Sequence, residues 1–406
     1  MRKNHITIEL GLPSVELLDQ SARGDTLVIR VIARAKSRSC PRCGQRTDRI
    51  HQYHRQYKQD CSLGRYRVVL ELVKRRFRCS RCGKVFTEPD EACGRRRRST
   101  RRFRAHLAEE ARWQTVKRVA AREGVSEALV RRAFRAQARS LLEKRRLRTP
   151  RCLALDEFAV QKGHRYRTLL CDPERREVLE VIEGHGLAAT QRGLDALPEG
   201  EGVEAVVMDM HEPYRQAVQM CCPRARIVAD KYHVISKVNQ AMDQVRLRLQ
   251  RQEAKGRKHL LHHKRLLLLK GRENLSSQER QTLDALFGAY PELGTAWRLK
   301  ETFRAWYRLP DRHTAATALQ QWERWALQEG PREFHHLSFM LTSWRDEILN
   351  YFDHRLTNGF VEGKNNRIKV IMRTAYGYRN MENLRLRILM TNPPDTFAAG
   401  ALLHTS

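Results

Sequence analysis

Between residues 152 and 230 the chain alternates in a way that leaves few folds open to it. CLALDEF (152–158), RYRTLLCD (165–172) and EVLEVIE (177–183) are short apolar or alternating runs, separated by Gly163 and Pro173. Runs of that length bounded by turn residues read as consecutive strands. A helical stretch at 188–197 follows, then the strand VEAVVMD (203–209), a helix from Pro213, the strand RARIVAD (224–230) and a long helix from about 232. Three strands followed by helix–strand–helix–strand–helix predict a mixed sheet with helices on its faces. Asp156 is read as closing the first strand and Asp209 as closing the fourth. One such aspartate is an ordinary turn or cap residue. Two at equivalent strand ends suit a site at the edge of a sheet.

A second constraint lies at Thr357–Arg373, TNGFVEGKNNRIKVIMR. At about 100° per residue, a helix here places Glu362, Asn366, Lys369 and Arg373 on one stripe and Phe360, Ile368 and Ile371 roughly opposite. Thr357 or Asn358 can cap its start. The polar stripe reads either as a solvated i,i+4 ion network or as a metal-binding carboxylate flanked by cations that hold a phosphate backbone. The second reading needs further carboxylates, for which Asp156 and Asp209 are candidates. Between Asp209 and Glu362 lie 152 residues, and most of 240–350 reads as helices rich in Leu, Arg and Gln. Five of the six tryptophans fall between Trp297 and Trp344 and are read as core packing. The basic stretch from Lys255 to Lys270 could lie along DNA.

Charge narrows the partner. Lys and Arg number 78 against 46 Asp and Glu, a formal excess of +32 that calls for a polyanion. A membrane surface would attract such a chain too, but Leu266–Leu269 is its longest aliphatic run, far short of the roughly 20 residues that span a bilayer. The opening MRKNHITIEL lacks the apolar core of a signal peptide, so a reducing cytoplasm is expected, with the ten cysteines as thiols or metal ligands. Nucleic acid is the favoured partner. Cys40-Pro-Arg-Cys43-Gly and Cys79-Ser-Arg-Cys82-Gly each aim two sulfurs from one tight turn, and four thiolates complete a tetrahedral structural zinc site. His51, His54 and Cys61 are possible substitute ligands, and 66–77 (YRVVLELVKRRF) is a strand arm between the knuckles.

The run CGRRRRSTRRFR (93–104) reads as a solvated linker or a phosphate-tracking arm, and marks a boundary either way. In the segment 116–134, apolar positions recur at helical spacing; Gly124 breaks the first helix, Val125 packs in the turn and Ser126 can cap the second. This is the pattern of a helix-turn-helix whose second helix presents Glu127, Arg131, Arg132 and Arg135, or of an ordinary helical hairpin.

Taken in order, LALDEF, VVMDMHEPYRQA, VADKYHV and NGFVEGKNNRIKVIMRTAYGYRN resemble DDE transposases of bacterial insertion sequences, in particular the ISL-three family. The likeness covers nearly the whole chain, and the last motif is its most specific part. It implies an α/β multidomain protein in which a zinc finger and a helix-turn-helix precede an RNase-H-like mixed-sheet catalytic domain with a helical insertion. The expected division is a zinc-binding domain over 1–92, a basic linker over 93–103, a helix-turn-helix DNA-binding domain over 104–148, a catalytic domain over 149–240 and 351–395, and the insertion over 241–350. The resemblance further implies Asp156, Asp209 and Glu362 as catalytic triad and Mg²⁺ or Mn²⁺ ligands, with Cys40, Cys43, Cys79 and Cys82 on structural Zn²⁺. Arg131, Arg132, Arg135, Lys369 and Arg373 are the expected DNA contacts. Asp230, Lys231 and His233 match a family motif without an assigned role. The expected function is metal-dependent cleavage and strand transfer at element ends. The expected partner is double-stranded DNA, both terminal inverted repeats and target, bound by a homodimer in the cytoplasm at the nucleoid and not at a membrane. A zinc-containing DNA-binding regulator, or a metal-dependent nuclease without strand transfer, are the alternatives.

Overall fold

The computed structural model describes residues 11–391, apart from Pro13 and residues 91–92, 95–96, 162–164, 199 and 253–259. They divide into two units, the first running to Arg145 and resuming at Tyr378–Thr391, the second spanning Arg146–Gly377.

In the first unit, β1 (Val15–Arg23), β2 (Thr26–Ala33), β5 (Ile50–Leu63) and β6 (Tyr66–Arg78) form a sheet in the order β1-β2-β6-β5, with β7 (Val85–Thr87) paired to β6. The short pair β3 (Arg38–Ser39) and β4 (Arg46–Thr47) stands apart from it. Alternate residues of β2 and β6 (Ile29, Val31, Val68, Leu70 and Leu72) bury one face together with Cys93, as a period of two requires. The arm expected at 66–77 is β6. Its partner β5, one residue longer, is polar at nine of its 14 positions, and the other five do not alternate in a way that would betray a strand.

The basic run is not a free linker. Thr100 is fully buried; its hydroxyl donates to Asp60 Oδ1 at 2.6 Å and accepts the Phe103 N–H at 3.1 Å, capping α1 (Arg101–Trp113). The Arg102 Nε donates to the same carboxylate at 2.8 Å. The chain continues through α2 (Val116–Glu123) and α3 (Glu127–Lys144). Gly124 between them is left-handed (φ 62°, ψ 39°), and the Ser126 hydroxyl accepts the Leu129 N–H at 3.3 Å, so the turn closes through the residues that signalled it.

The second unit is built on a five-stranded sheet of order β10-β9-β8-β11-β12, from β8 (Cys152–Gln161), β9 (Arg165–Asp172), β10 (Glu177–Glu183), β11 (Ala205–Met208) and β12 (Arg226–Ala229). β8, β9 and β10 pair antiparallel, whereas β11 lies parallel to β8, and β12 parallel to β11. The crossovers run through α4 (Leu187–Leu194) and α5 (Glu212–Cys221). The mixed sheet is therefore as expected. One boundary differs: β8 continues to Gln161, so Asp156 lies within the strand and does not end it.

After α6 (Lys231–Gln252) come α7 (Arg265–Leu269), α8 (Ser277–Ala289), α9 (Pro291–Trp306), α10 (Arg312–Glu329) and α11 (Arg332–Ser343). Trp297, Trp306, Trp322 and Trp344 are buried, and the indoles of Trp306 and Trp322 donate to the Ala315 and Leu299 carbonyls at 2.8 and 2.9 Å. All four are core residues, and the polar edges of Trp306 and Trp322 are satisfied. Of the basic stretch beginning at Lys255, the first residues lie outside those described, and Lys270 is paired with Glu279 at 2.8 Å. α12 (Arg345–His354) straddles the expected end of the insertion and ties to the sheet, its Asn350 amide donating to the Ile227 carbonyl at 2.7 Å. α13 (Gly359–Thr374) completes the unit. The last helix, α14 (Met381–Thr391), joins the first unit, although the sequence assigned 351–395 to the catalytic domain. The Arg112 Nε of α1 donates to its Met390 carbonyl at 3.0 Å.

Candidate active site and metal centres

The parallel register of the second sheet brings three aspartates level. Leu155 on β8 pairs with Met208 on β11, and Met208 pairs with Ala229 on β12. The next residues are Asp156, Asp209 and Asp230, aligned at the carboxyl edge of three adjacent strands. Beyond this point β8 pairs with β9 alone, which is how Asp156 can stand mid-strand and still face a strand end. α6 then returns His233. Its backbone N–H and Nδ1 each lie 3.2 Å from Asp230 Oδ2, and Nδ1 also pairs with Asp209 Oδ1. Asp156, Asp209 and His233 can each offer one ligand atom within 4.8 Å of the others.

The electrostatics follow from burial. Loss of solvent, and then the neighbouring Asp209 carboxylate, push Asp156 up to about 7. Burial likewise raises Asp209, against the pull of His233. Hydrogen bonds that it donates to Asp209 and then Asp230 carry the His233 imidazole up to about 10. Two crowded carboxylates offer hard oxygen donors that fit a divalent cation, and the adjoining imidazolium balances their charge.

α13 lies across this edge. The Asn358 N–H donates to Asp230 Oδ1 at 3.0 Å and its side-chain amide to the Leu155 carbonyl at 3.1 Å. The Asn365 amide donates to Asp156 Oδ2 at 2.8 Å, while the Glu157 N–H donates to Oδ1 at 2.8 Å, so both oxygens of that carboxylate are held. The docking face is Asn358, Val361, Asn365 and Ile368. Phe360 and Ile371 are only half-buried, and the Asn358 side chain makes no capping bond, so the helix is rotated from the expected orientation towards its asparagines. Glu362, Lys369 and Arg373 are exposed on the flank of this face. The structure thus gathers Asp156 and Asp209 with His233, while Glu362 is carried on the adjoining helix outside that cluster. Asp230 did carry a sequence signal, since it closes RARIVAD as Asp209 closes VEAVVMD; the asparagine contacts, made across more than a hundred residues, did not.

At the other centre, Cys40 and Cys82, and likewise Cys43 and Cys79, have sulfurs 3.6 Å apart. Sulfurs about 2.3 Å from a tetrahedral centre stand about 3.8 Å from one another, so the four thiols fit zinc. Each knuckle turns on a left-handed glycine, Gly44 (φ 73°) or Gly83 (φ 71°), whose N–H returns to the carbonyl of the first cysteine at 3.0 Å. Hydrogen bonding from the Cys82 backbone N–H, against burial, lowers the Cys79 thiol to about 7, towards the thiolate a metal needs. His51, His54 and Cys61 lie along β5 and are not members of this group.

Residues 153–388 match the family model of the ISL3 transposases, and residues 36–82 match the zinc-finger of transposase IS204/IS1001/IS1096/IS1165. The transposase for insertion sequence element IS1001 of Bordetella parapertussis is 33% identical over 380 residues, covering 91% of this chain and 92% of that protein. The chain belongs to the ISL3 family of transposases. The transposase for insertion sequence element IS1557 of Mycobacterium tuberculosis is 26% identical over 266 residues, 59% of this chain and 60% of the relative. In this ISL3 chain the family match covers both the aspartate-bearing sheet and α13. The first-unit residues expected to meet DNA are divided. Arg131 and Arg132 are exposed on α3, Arg131 pairing with Glu127, whereas the Arg135 Nε is held by Asn383 of α14 at 2.6 Å. Among the described residues no helix is long and apolar enough to cross a membrane.

Proposed function

We propose that this ISL3 chain cleaves DNA at the ends of its insertion sequence and joins those ends to target DNA, with Asp156, Asp209 and Glu362 as the acidic residues of the reaction. The observation that carries this reading is the register that sets Asp156 and Asp209 side by side, each just past the last parallel pair of β8 and β11. Antiparallel β8–β10 followed by parallel β11 and β12, with α13 across the carboxyl edge, supports an RNase-H-like catalytic domain. The left-handed Gly124 and capped Ser126 support a helix-turn-helix over α2 and α3. The excess charge of +32 supports double-stranded DNA as the partner.

Asp156, Asp209 and Glu362 would hold Mg²⁺ or Mn²⁺, and divalent cations so held activate an attacking oxygen and stabilise a leaving one at phosphorus. The protein's own residues do the rest. Asn365 and the Glu157 N–H fix the plane of the Asp156 carboxylate, and His233 fixes that of Asp209. Glu362 enters from α13. Lys369 and Arg373, farther along the same flank, meet the phosphate backbone and its developing charge. Water is the first nucleophile and the exposed 3′-hydroxyl the second, so no covalent protein intermediate is required. A homodimer paired on the two element ends, working in the cytoplasm, completes the reading.

The test is a plasmid carrying the DNA that flanks this reading frame, incubated with the full chain and Mg²⁺. Asp156→Asn, Asp209→Asn and Glu362→Gln should each abolish cleavage and strand transfer while end binding persists. Wild-type cleavage by Asp156→Asn would overturn the assignment. Cleavage without joined products would reduce it to a nuclease.

A further inference from the structure

The contacts around α13 involve polar groups beyond the three acids of the proposed reaction. Asp230 is 1% exposed, Asn358 3% and Asn365 6%, so three polar side chains lie buried between the sheet edge and the helix. Burying polar groups is unfavourable unless they are hydrogen-bonded, and apolar residues would dock a helix with less loss. Val361 and Ile368 on the same face do so, at 0% and 2% exposure. What apolar packing lacks is direction, because it tolerates small rotations and slides that a hydrogen bond does not.

We propose that Asp230, Asn358 and Asn365 are positioning residues, a hydrogen-bonded latch that fixes the rotation and height of α13 and thereby the place of Glu362 relative to Asp156 and Asp209. The inference rests on the functional reading above. Asn358 stands four residues before Glu362 and Asn365 three after, so each lies about one helical turn from it. The Glu362 N–H donates to the Asn358 carbonyl at 2.9 Å. The latch partners are Asp230, Asp156 and the backbone carbonyls on either side of Asp156. Asp230 Oδ1 receives the Asn358 N–H, the Asn358 amide reaches the Leu155 carbonyl, and the Asn365 amide reaches both Asp156 Oδ2 and, at 3.3 Å, the Glu157 carbonyl. A shift of α13 breaks these bonds before it moves Glu362 far. Asp230 Oδ2 meanwhile holds His233, so one buried carboxylate registers both helices that border the site.

The test uses the full chain on the same plasmid, reading single-turnover cleavage, the Mg²⁺ concentration for half-maximal rate, end-binding affinity and Tm. Asn365→Ala should slow cleavage about tenfold to a hundredfold, the usual effect of removing a residue that orients a metal ligand. It should raise the Mg²⁺ requirement and leave end binding unchanged. Asp230→Asn keeps an acceptor oxygen for the Asn358 N–H and should retain more cleavage than Asp230→Ala. A wild-type rate and Mg²⁺ requirement in Asn365→Ala would overturn the latch. So would losses of Tm, binding and cleavage in proportion with the Mg²⁺ requirement unmoved, since that marks a merely structural contact. Asp230→Asn as inactive as Asp156→Asn would make Asp230 a ligand and overturn it too. Asp156→Asn cutting like wild type sinks the functional reading itself, whereas an inactive Asp156→Asn beside an unaffected Asn365→Ala sinks only the latch.

Discussion

Cys79 shows how much can hang on one atom. Its sulfur is 3.6 Å from that of Cys43 and shares a four-thiol centre between β3, β4 and the end of β6. Cys79→Ser should release the zinc and loosen the knuckles with it, because binding free energy here is folding free energy. Elemental analysis together with amide exchange over β3–β7 checks this; a full zinc equivalent in the variant contradicts it. Gly124 carries a different constraint. At φ 62° a side chain is strained, and an added Cβ would meet the Arg67 guanidinium at 2.6 Å, though that flexible group can move aside. Gly124→Ala should therefore cost about 1–2 kcal/mol, the left-handed penalty, read as a lower urea midpoint. Both residues were legible because their chemistry is local: a knuckle and a helix break are written within a few positions. Asp156 and Asp209 were legible through the apolar runs around them. The pairing of Asn365 with Asp156 was not, since no local pattern marks which asparagine of KNN turns inward.

Elements were legible where apolar runs and turn residues agree, and strands β8 to β12 fall within a few residues of their expected bounds. β5 escaped because an edge strand with polar residues on both faces lacks alternation. α13 was found, but its orientation was misjudged: its inward face pairs two asparagines with two aliphatics, so hydrophobicity alone points the wrong way. α3 offers a test at this scale. Arg131 and Arg132 are exposed on it, and Arg131 must exchange its Glu127 partner for DNA. Replacing both by alanine should reduce discrimination between element-end and random duplex more than it reduces affinity at low salt. Equal discrimination by wild type and variant would remove α3 from the reading surface. The helices that follow β12 offer another. Burial alone would raise the Glu333 carboxylate, yet hydrogen bonds from Arg248 on α6, the nearest at 2.7 Å, outweigh it and hold Glu333 below its usual range. A depressed carboxylate stabilises fully above its unfolded value, about 4.3, and the contribution is lost as pH falls through the folded value. The Tm gap between wild type and Glu333→Gln should therefore narrow as pH drops below about 4; a gap constant with pH would show that the pair adds no such term.

At the scale of the molecule, α14 has a consequence for how the protein is made. The first unit is discontinuous, running to Arg145 and finishing with Tyr378–Thr391. Leu384, Leu386, Ile388 and Leu389 are each at most 2% exposed, and Arg387 donates to the Gln114 carbonyl at 2.8 Å, so α14 is an integral layer against α1 and α3. A chain ended after Gly377 keeps every acidic residue of the candidate site yet should lose cooperative melting of α1–α3, which calorimetry of the truncated protein can read. Synthesis runs from the amino terminus, so the ribosome finishes the acid-bearing sheet before the segment that completes the first unit. On the proposed function, a nascent or prematurely stopped polypeptide would carry the acidic residues without a finished first unit, and end-specific activity would belong to full-length product alone.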